Sequence, residues 1–73
     1  MGALGNISGK EAAKAFARAG WVRGEQVGSH LPMRKTGSRF TLSIPQHKEL
    51  AIGTLRSLIR SAEMTVDEFL ELL

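Results

Sequence analysis

The sequence has no cysteine, only two prolines and no long apolar run. Without cysteine it can form no disulfide framework and no cysteine-ligated zinc site, and it offers no thiol nucleophile. No apolar run reaches the ~18 residues that a membrane-spanning helix needs. Residues 1–7 also lack the basic region and the long apolar stretch of a signal peptide. We therefore expect a cytoplasmic protein that does not enter a membrane.

The chain is also short, with 73 residues. This is about half the length of a typical domain, so we expect one domain over residues 1–73. A chain of this size buries only about 60% of the surface that it exposes when unfolded. A two-domain enzyme with an enclosed cofactor cleft is thereby excluded. A small binding module, a small hydrolase with an open site and a subunit completed by a partner all remain.

Acidic residues are scarce in most of the chain. Residues 1–60 hold all ten Lys and Arg residues but only Glu11, Glu25 and Glu49, so ten positive charges against three negative ones give +7. Residues 61–73 hold the other four acidic residues and no basic one, which gives −4. A basic body favours an anionic partner such as nucleic acid, with the acidic segment facing away from it. The same distribution is also typical of ordinary solvated charge.

The sequence predicts a first helix over residues 9–19. A Ser-x-x-Glu capping box, Ser8 to Glu11, begins this helix, and Gly20 is well placed to end it. Its apolar residues recur at helical spacing and predict a narrow buried stripe. They are Ala12, Ala13, Phe16 and Ala17.

Two more helices are predicted near the end of the chain. One opens at Gly53-Thr54, and a second capping box, Thr65 to Glu68, begins a short terminal helix. In both, apolar residues recur at i, i+3, i+4 and i+7, the spacing of a face that packs on a core. They are Leu55, Leu58, Ile59 and Ala62 in the first, and Val66, Phe69, Leu70 and Leu73 in the second.

Three strands are predicted between the first and second helices, over residues 21–26, 30–35 and 39–44. In the third, Phe40, Leu42 and Ile44 alternate with polar residues, so we expect one buried face and one exposed face. Pro45 follows and ends it. Pro32 in the second strand indicates an edge position or a bulge.

These elements predict an α+β fold in which a three-stranded antiparallel sheet carries the helices on one face. The order is α-β-β-β-α with an added short C-terminal helix. Because side chains alternate along a strand, His30 and Arg34 should lie on the open face. Leu31, Met33 and Lys35 should lie on the other face. If the register allows, the open face also receives Arg39, Thr41 and Ser43.

His30 is the leading candidate for chemistry. Imidazole exchanges a proton near neutral pH. Cleavage of RNA by transesterification needs a base for the ribose 2′-hydroxyl, an acid for the leaving 5′-oxygen and positive charge for the phosphorane. His30 could serve one proton transfer and His47 the other, if its loop folds back toward His30. An exposed surface histidine and a loop histidine that packs on the second helix are the alternatives. Two histidines without a carboxylate cluster predict no metal site.

Positive charge near His30 could come from Arg34, Lys35 or Arg39. The Gly53-Thr54 helix start could bind a phosphate through its free N–H groups, with Arg56 and Arg60 alongside. Every helix start offers such groups, and basic residues on a helix also form ordinary solvated faces.

Three functions are compatible with these residues. The first is a small endoribonuclease that uses His30. The second is an RNA-binding module that needs the basic residues but not His30. The third is an interaction subunit, for which a partner supplies much of the buried surface.

Several runs of the sequence resemble the HicA (YcfA-like) toxin family. Gly28-Ser29-His30 is similar to that family, because it follows a first helix and a Trp-initiated strand. The other similar runs, which extend the resemblance from Ile7 to Leu73, are Ile7–Glu11, Ile44–Leu50, Gly53–Ile59 and Thr65–Leu73. The sequence departs from the family at Val27, where many relatives carry a basic residue, at Leu31, where some carry a second histidine, and at Pro32 and Gly24.

The resemblance implies a fold like that of the double-stranded-RNA-binding domain and the activity of a type II toxin. Such toxins are mRNA interferases, which cleave RNA and arrest translation. The family's key histidine falls on His30. The implied partner is a HicB-type antitoxin that covers this site in a hetero-oligomeric complex with a monomeric toxin, and no cofactor is implied. We expect RNA contacts from Ser29, Arg34, Lys35, Arg39, Lys48, Thr54, Arg56 and Arg60.

Overall fold

The structure, a computed structural model, describes residues 4–73. Residues 1–3 lie outside this range. They belong to the predicted domain and to the segment 1–7 that was examined for a signal peptide. The described residues form three helices and one antiparallel sheet with the strand order β1-β2-β3. The elements are α1 (Gly9–Arg18), β1 (Val22–Arg23), β2 (His30–Arg34), β3 (Thr41–Pro45), α2 (Ile52–Ser61) and α3 (Val66–Glu71). The predicted α+β class and element order are confirmed.

The capping box begins α1 as predicted. The Ser8 hydroxyl accepts from the Glu11 N–H at 3.0 Å, and the Glu11 carboxylate accepts from the Ser8 N–H at 2.9 Å. Gly20, with φ of +102°, follows the end of the helix. The predicted stripe was wrong at Ala17, which is exposed, whereas Ala15 is buried. The buried side of α1 is wider than a stripe because both the sheet and α3 cover this helix.

The first strand is much shorter than predicted, because proline lies opposite it. Pro32 has no N–H, so only one hydrogen bond, from the Gly24 N–H to the Pro32 carbonyl at 2.8 Å, joins these two residues. Pairing resumes between Val27 and His30, one residue out of register. The two residues 25–26 therefore oppose the single residue Leu31, which is a β-bulge. The predicted bulge is present, but Pro32 lies in the central strand and not at an edge.

The third strand also begins later than predicted. It starts at Thr41, the partner of the last β2 residue, because no strand lies opposite the residues before it. Phe40 was expected on the buried face but lies in the preceding loop and is 44% exposed. Leu42 and Ile44 are buried as predicted. Pro45 does not stop the strand before it, since it is the last paired residue of β3 and lies opposite His30.

The core lies between one face of the sheet and the helices. Both α1 and α2 pack against β3, and α3 packs against α2. The Phe16 and Phe69 rings meet with centroids 5.0 Å apart, and the Arg18 guanidinium donates to the Leu72 carbonyl at 2.5 Å. Leu73 was predicted in the α3 stripe but is 47% exposed, because the helix ends at Glu71. The four predicted core residues of α2 are all buried.

Candidate functional site

His30 follows a two-residue hairpin turn at the start of the central strand. Val27 and His30 exchange two backbone hydrogen bonds, at 2.9 and 3.0 Å, around Gly28 and Ser29. Gly28 has φ of +61° and Ser29 does not have a positive φ, the φ pattern of a type II′ turn. Glycine suits the first central position because it adopts positive φ without steric cost. The imidazole of His30 is therefore presented, exposed, at the mouth of this turn.

Both carbonyls of the turn are held by glutamine residues. The Gln26 side-chain amide donates to the Gly28 carbonyl at 2.9 Å. The Gln46 backbone N–H donates to the Ser29 carbonyl at 2.6 Å. The sequence did not single out either glutamine, because Gln26 acts from the bulge and Gln46 acts from beyond the end of β3. The backbone that carries His30 is consequently fixed to both neighbouring segments.

Nine residues form the open face of the sheet, since opposite residues of paired strands share a face. Their rows are Val22–Arg34–Thr41, Gly24–Pro32–Ser43 and Val27–His30–Pro45. All are exposed except Pro32 and Pro45, which are half-buried. None of the nine is acidic. The register gives the predicted grouping of His30 with Arg34, Thr41 and Ser43, but Arg39, which was predicted with them, lies outside the sheet because β3 begins at Thr41.

Gly24 and Pro32, two positions at which the sequence departs from the family that it resembles, fit one another. A Cβ added at Gly24 would lie 3.2 Å from Cγ of Pro32, closer than an ordinary van der Waals contact. The glycine thus leaves room for the proline ring and retains the one hydrogen bond that proline allows. Pairing recovers at Val27–His30, so the departure at Pro32 leaves His30 within the sheet.

The loop of His47 begins beside His30. Pro45 is the strand partner of His30, and His47 follows it two residues later. The Gly9 N–H donates to the His47 carbonyl at 2.9 Å, which fixes this loop to the start of α1. His47 is exposed. It lines a shallow groove of about 240 Å³ with Ser8, Lys10, Gln46 and Lys48.

The start of α2 lies at this same end of the molecule. The Leu50 N–H donates to the Ile7 carbonyl at 2.8 Å, so the segment before α2 lies beside the start of α1. Unlike α1 and α3, α2 has no side-chain cap at Ala51 and no acidic residue in its first turn. Its first N–H groups therefore have no capping side chain, and the positive end of the helix dipole is not offset there. Thr54 is half-buried in this turn.

Other predicted RNA-contacting residues lie elsewhere. Lys35 follows β2 and lies on the side of the sheet that the helices cover. Its Cε is 3.3 Å from the position that a Cβ would take at Gly20. Arg39 is exposed in the loop before β3, at the opposite end of that strand from Pro45. Arg60 is in the last turn of α2, away from its start. With Arg56 it borders a groove of about 410 Å³ between α2 and α3.

Within residues 4–73, no three His, Asp or Glu side chains form a group that could hold a metal ion. Over the same range, no helix combines the length and the apolar character needed to cross a membrane.

A model of the HicA toxin of bacterial toxin–antitoxin systems matches residues 9–64. The chain belongs to the HicA toxin family. The match runs from the first residue of α1 past the end of α2, so it includes the His30 turn, the His47 loop and the start of α2. The resemblance stated from the sequence is confirmed at the level of the family. A comparison with curated proteins gives no match.

Proposed function

We propose that this HicA-family protein is an mRNA interferase, an endoribonuclease toxin that cleaves RNA and arrests translation, with His30 as a catalytic residue. The observation that carries the proposal is the position of His30. It is exposed at the start of the central strand, directly after a turn whose two carbonyls are held by hydrogen bonds. A fixed backbone that presents a free imidazole is the arrangement that proton transfer requires.

The chemistry needs a second proton transfer. His30 would act on either the 2′-hydroxyl or the leaving 5′-oxygen, and we assign the other role to His47. Its loop begins at the strand partner of His30 and is fixed to α1 by the hydrogen bond from Gly9. Imidazoles can serve as base and as acid in the same reaction because each exchanges a proton near neutral pH.

Basic and polar residues of the site would hold the phosphates. Ser29 precedes His30 in the turn, Arg34 shares the open face with it, and Lys48, Thr54 and Arg56 lie toward the start of α2. The uncapped first turn of α2 would add N–H donors for a phosphate. Lys35 lies on the covered side of the sheet and Arg60 lies in the last turn of α2, so we do not assign them a contact, and Arg39 lies beyond the far end of the open face.

The family implies a toxin that is controlled by a second protein. We propose that a HicB-type antitoxin binds the monomeric toxin in a hetero-oligomeric complex and covers His30. Such a toxin would act in the cytoplasm, where messenger RNA is translated. We assign no cofactor and no metal to the reaction.

The test is a paired assay of the wild type and His30→Ala. Each protein is induced in cells without an antitoxin, total RNA is followed over time, and each purified protein is incubated with RNA. We expect growth arrest and RNA loss with the wild type only, and equal circular dichroism spectra for the two proteins. Arrest by a folded His30→Ala variant would contradict the proposal. Binding of RNA by the wild type without cleavage would identify a non-catalytic RNA-binding module instead.

A further inference from the structure

The open face of the sheet extends away from His30 as a surface without acidic residues. His30, Pro32 and Arg34 occupy alternate positions of the central strand, and Ser43 and Thr41 lie opposite the last two on β3. At about 3.3 Å per residue, the row runs about 13 Å from His30 to Arg34. It has a guanidinium at its far end and a half-buried proline ring in the middle.

We infer that this row is a binding track for single-stranded RNA, and this inference rests on the proposed function. With the scissile phosphate at His30, the nucleotides on one side of it would cross Pro32 and reach Arg34. Pro32 gives a ribose or base an apolar surface, Arg34 binds a phosphate, and Ser43 and Thr41 offer hydroxyls to the 2′-hydroxyl groups. The 2′-hydroxyl, both donor and acceptor, is the group by which a protein distinguishes RNA from DNA.

Charge and shape favour this occupant. An anionic strand meets no carboxylate among the nine residues of the open face, although Glu25 lies in the bulge at its margin. The open face of a sheet offers phosphate, hydroxyl and apolar contacts to an extended RNA strand whose bases are unpaired. A duplex is instead recognised by its shape across successive grooves.

Adjacent basic residues provide a matched pair for the test. Arg34 lies on the open face, and Lys35 follows it in the sequence but lies on the covered side. Each is replaced by glutamine in the His30→Ala protein, so that RNA is not cut. A fluorescent single-stranded hexaribonucleotide, the deoxy strand of the same sequence and the corresponding RNA duplex are titrated from low to physiological salt.

We expect Arg34→Gln to weaken binding of the single-stranded hexamer and to flatten the salt dependence of log K by about 0.7, the loss of one phosphate contact. Lys35→Gln should leave that slope unchanged. Ser43→Ala with Thr41→Val should reduce the preference for RNA over the deoxy strand. Equal effects of the two glutamine variants, or tighter binding of the duplex than of the single strand, would overturn the track.

The same proteins separate this inference from the proposed function. If the wild type does not cleave RNA but Arg34→Gln still weakens hexamer binding selectively, the proposed function fails and the track stands. If cleavage depends on His30 but Arg34→Gln and Lys35→Gln change hexamer binding equally, the proposed function stands and the track fails. Failure of the antitoxin to bind Arg34→Gln, with hexamer binding intact, would show that the face serves a protein and would also overturn the track.

Discussion

The covered and open faces of the sheet are built from alternate residues of the same strands. On the covered face, Leu31, Met33, Leu42 and Ile44 are at most 4% exposed. The alternate residues of the same strands form the open face, and they include His30, which is exposed. Residues that stabilise the core therefore alternate along each strand with residues of the face that carries His30. Substitutions at neighbouring positions should change one property and leave the other intact.

The largest effect is expected at His30. His30→Ala should lower the rate of RNA cleavage by about 10²–10⁴-fold, the usual contribution of general acid–base catalysis. The melting temperature should hardly change, because the side chain is exposed and no packing is lost. Single-turnover cleavage of a labelled RNA and thermal unfolding measure the two quantities. A large fall in melting temperature would show that His30 also supports the fold.

Leu42 tests the opposite face. Leu42→Ala should destabilise the protein by about 2–5 kcal/mol, since the residue is 1% exposed in the core. That is a large share of the about 4–11 kcal/mol expected for a domain of this size. The neighbouring Thr41→Ala should change stability by less than about 0.5 kcal/mol. Urea denaturation measures both, and equal costs would remove the distinction between the two faces.

The helices were the most predictable part of the fold. Ser8 to Glu11 and Thr65 to Glu68 begin helices with both hydrogen bonds of the capping box. Capping is local, so a sequence can specify it. The burial of Ala15 instead of Ala17 was not predictable in the same way, because it depends on which side of α1 the rest of the fold covers.

The strands were less predictable because their lengths depend on their partners. Val22–Arg23 is short because Pro32 lies opposite the next residue, and Phe40 is outside β3 because β2 ends at Arg34. Both depend on register, which no single strand specifies. Alternation still placed His30 with Arg34 correctly, since that prediction needs only one strand.

The candidate site combines local and distant signals. Gly28-Ser29-His30 is a local turn and could be found from the sequence. Its fixation by Gln46, through a hydrogen bond to the Ser29 carbonyl, required the pairing of β2 with β3. The separation of Lys35 from Arg34 followed from alternation, whereas the nearness of the His47 loop to His30 could be read only from the fold.

Gly9 lies where the helix layer meets the end of β3. A Cβ at Gly9 would lie 2.8 Å from Cα of Gln46 and closer still to the Pro45 carbonyl oxygen. Because both are backbone atoms, Gly9→Ala should destabilise the protein by about 1–3 kcal/mol, as overpacking does. Displacing the His47 loop should also slow RNA cleavage. An unchanged urea midpoint would show that the contact between α1 and this loop is loose.

The smallest effect is expected at Gly53, on the outer side of the helix layer. A Cβ there would meet no atom within 4 Å apart from its chain neighbours and the backbone of its own helix, and the residue lies in the first turn of α2. Gly53→Ala should therefore stabilise the protein by about 0.4–1 kcal/mol, chiefly because alanine restricts the unfolded chain. In a domain of this size that raises the melting temperature by about 2–8 °C. Glycine-to-alanine changes at the two helix starts should thus have opposite signs, because only Gly9 faces strand backbone. A destabilising Gly53→Ala would mean that the start of α2 needs a backbone conformation that alanine does not favour, and the contrast between inner and outer glycines would fail.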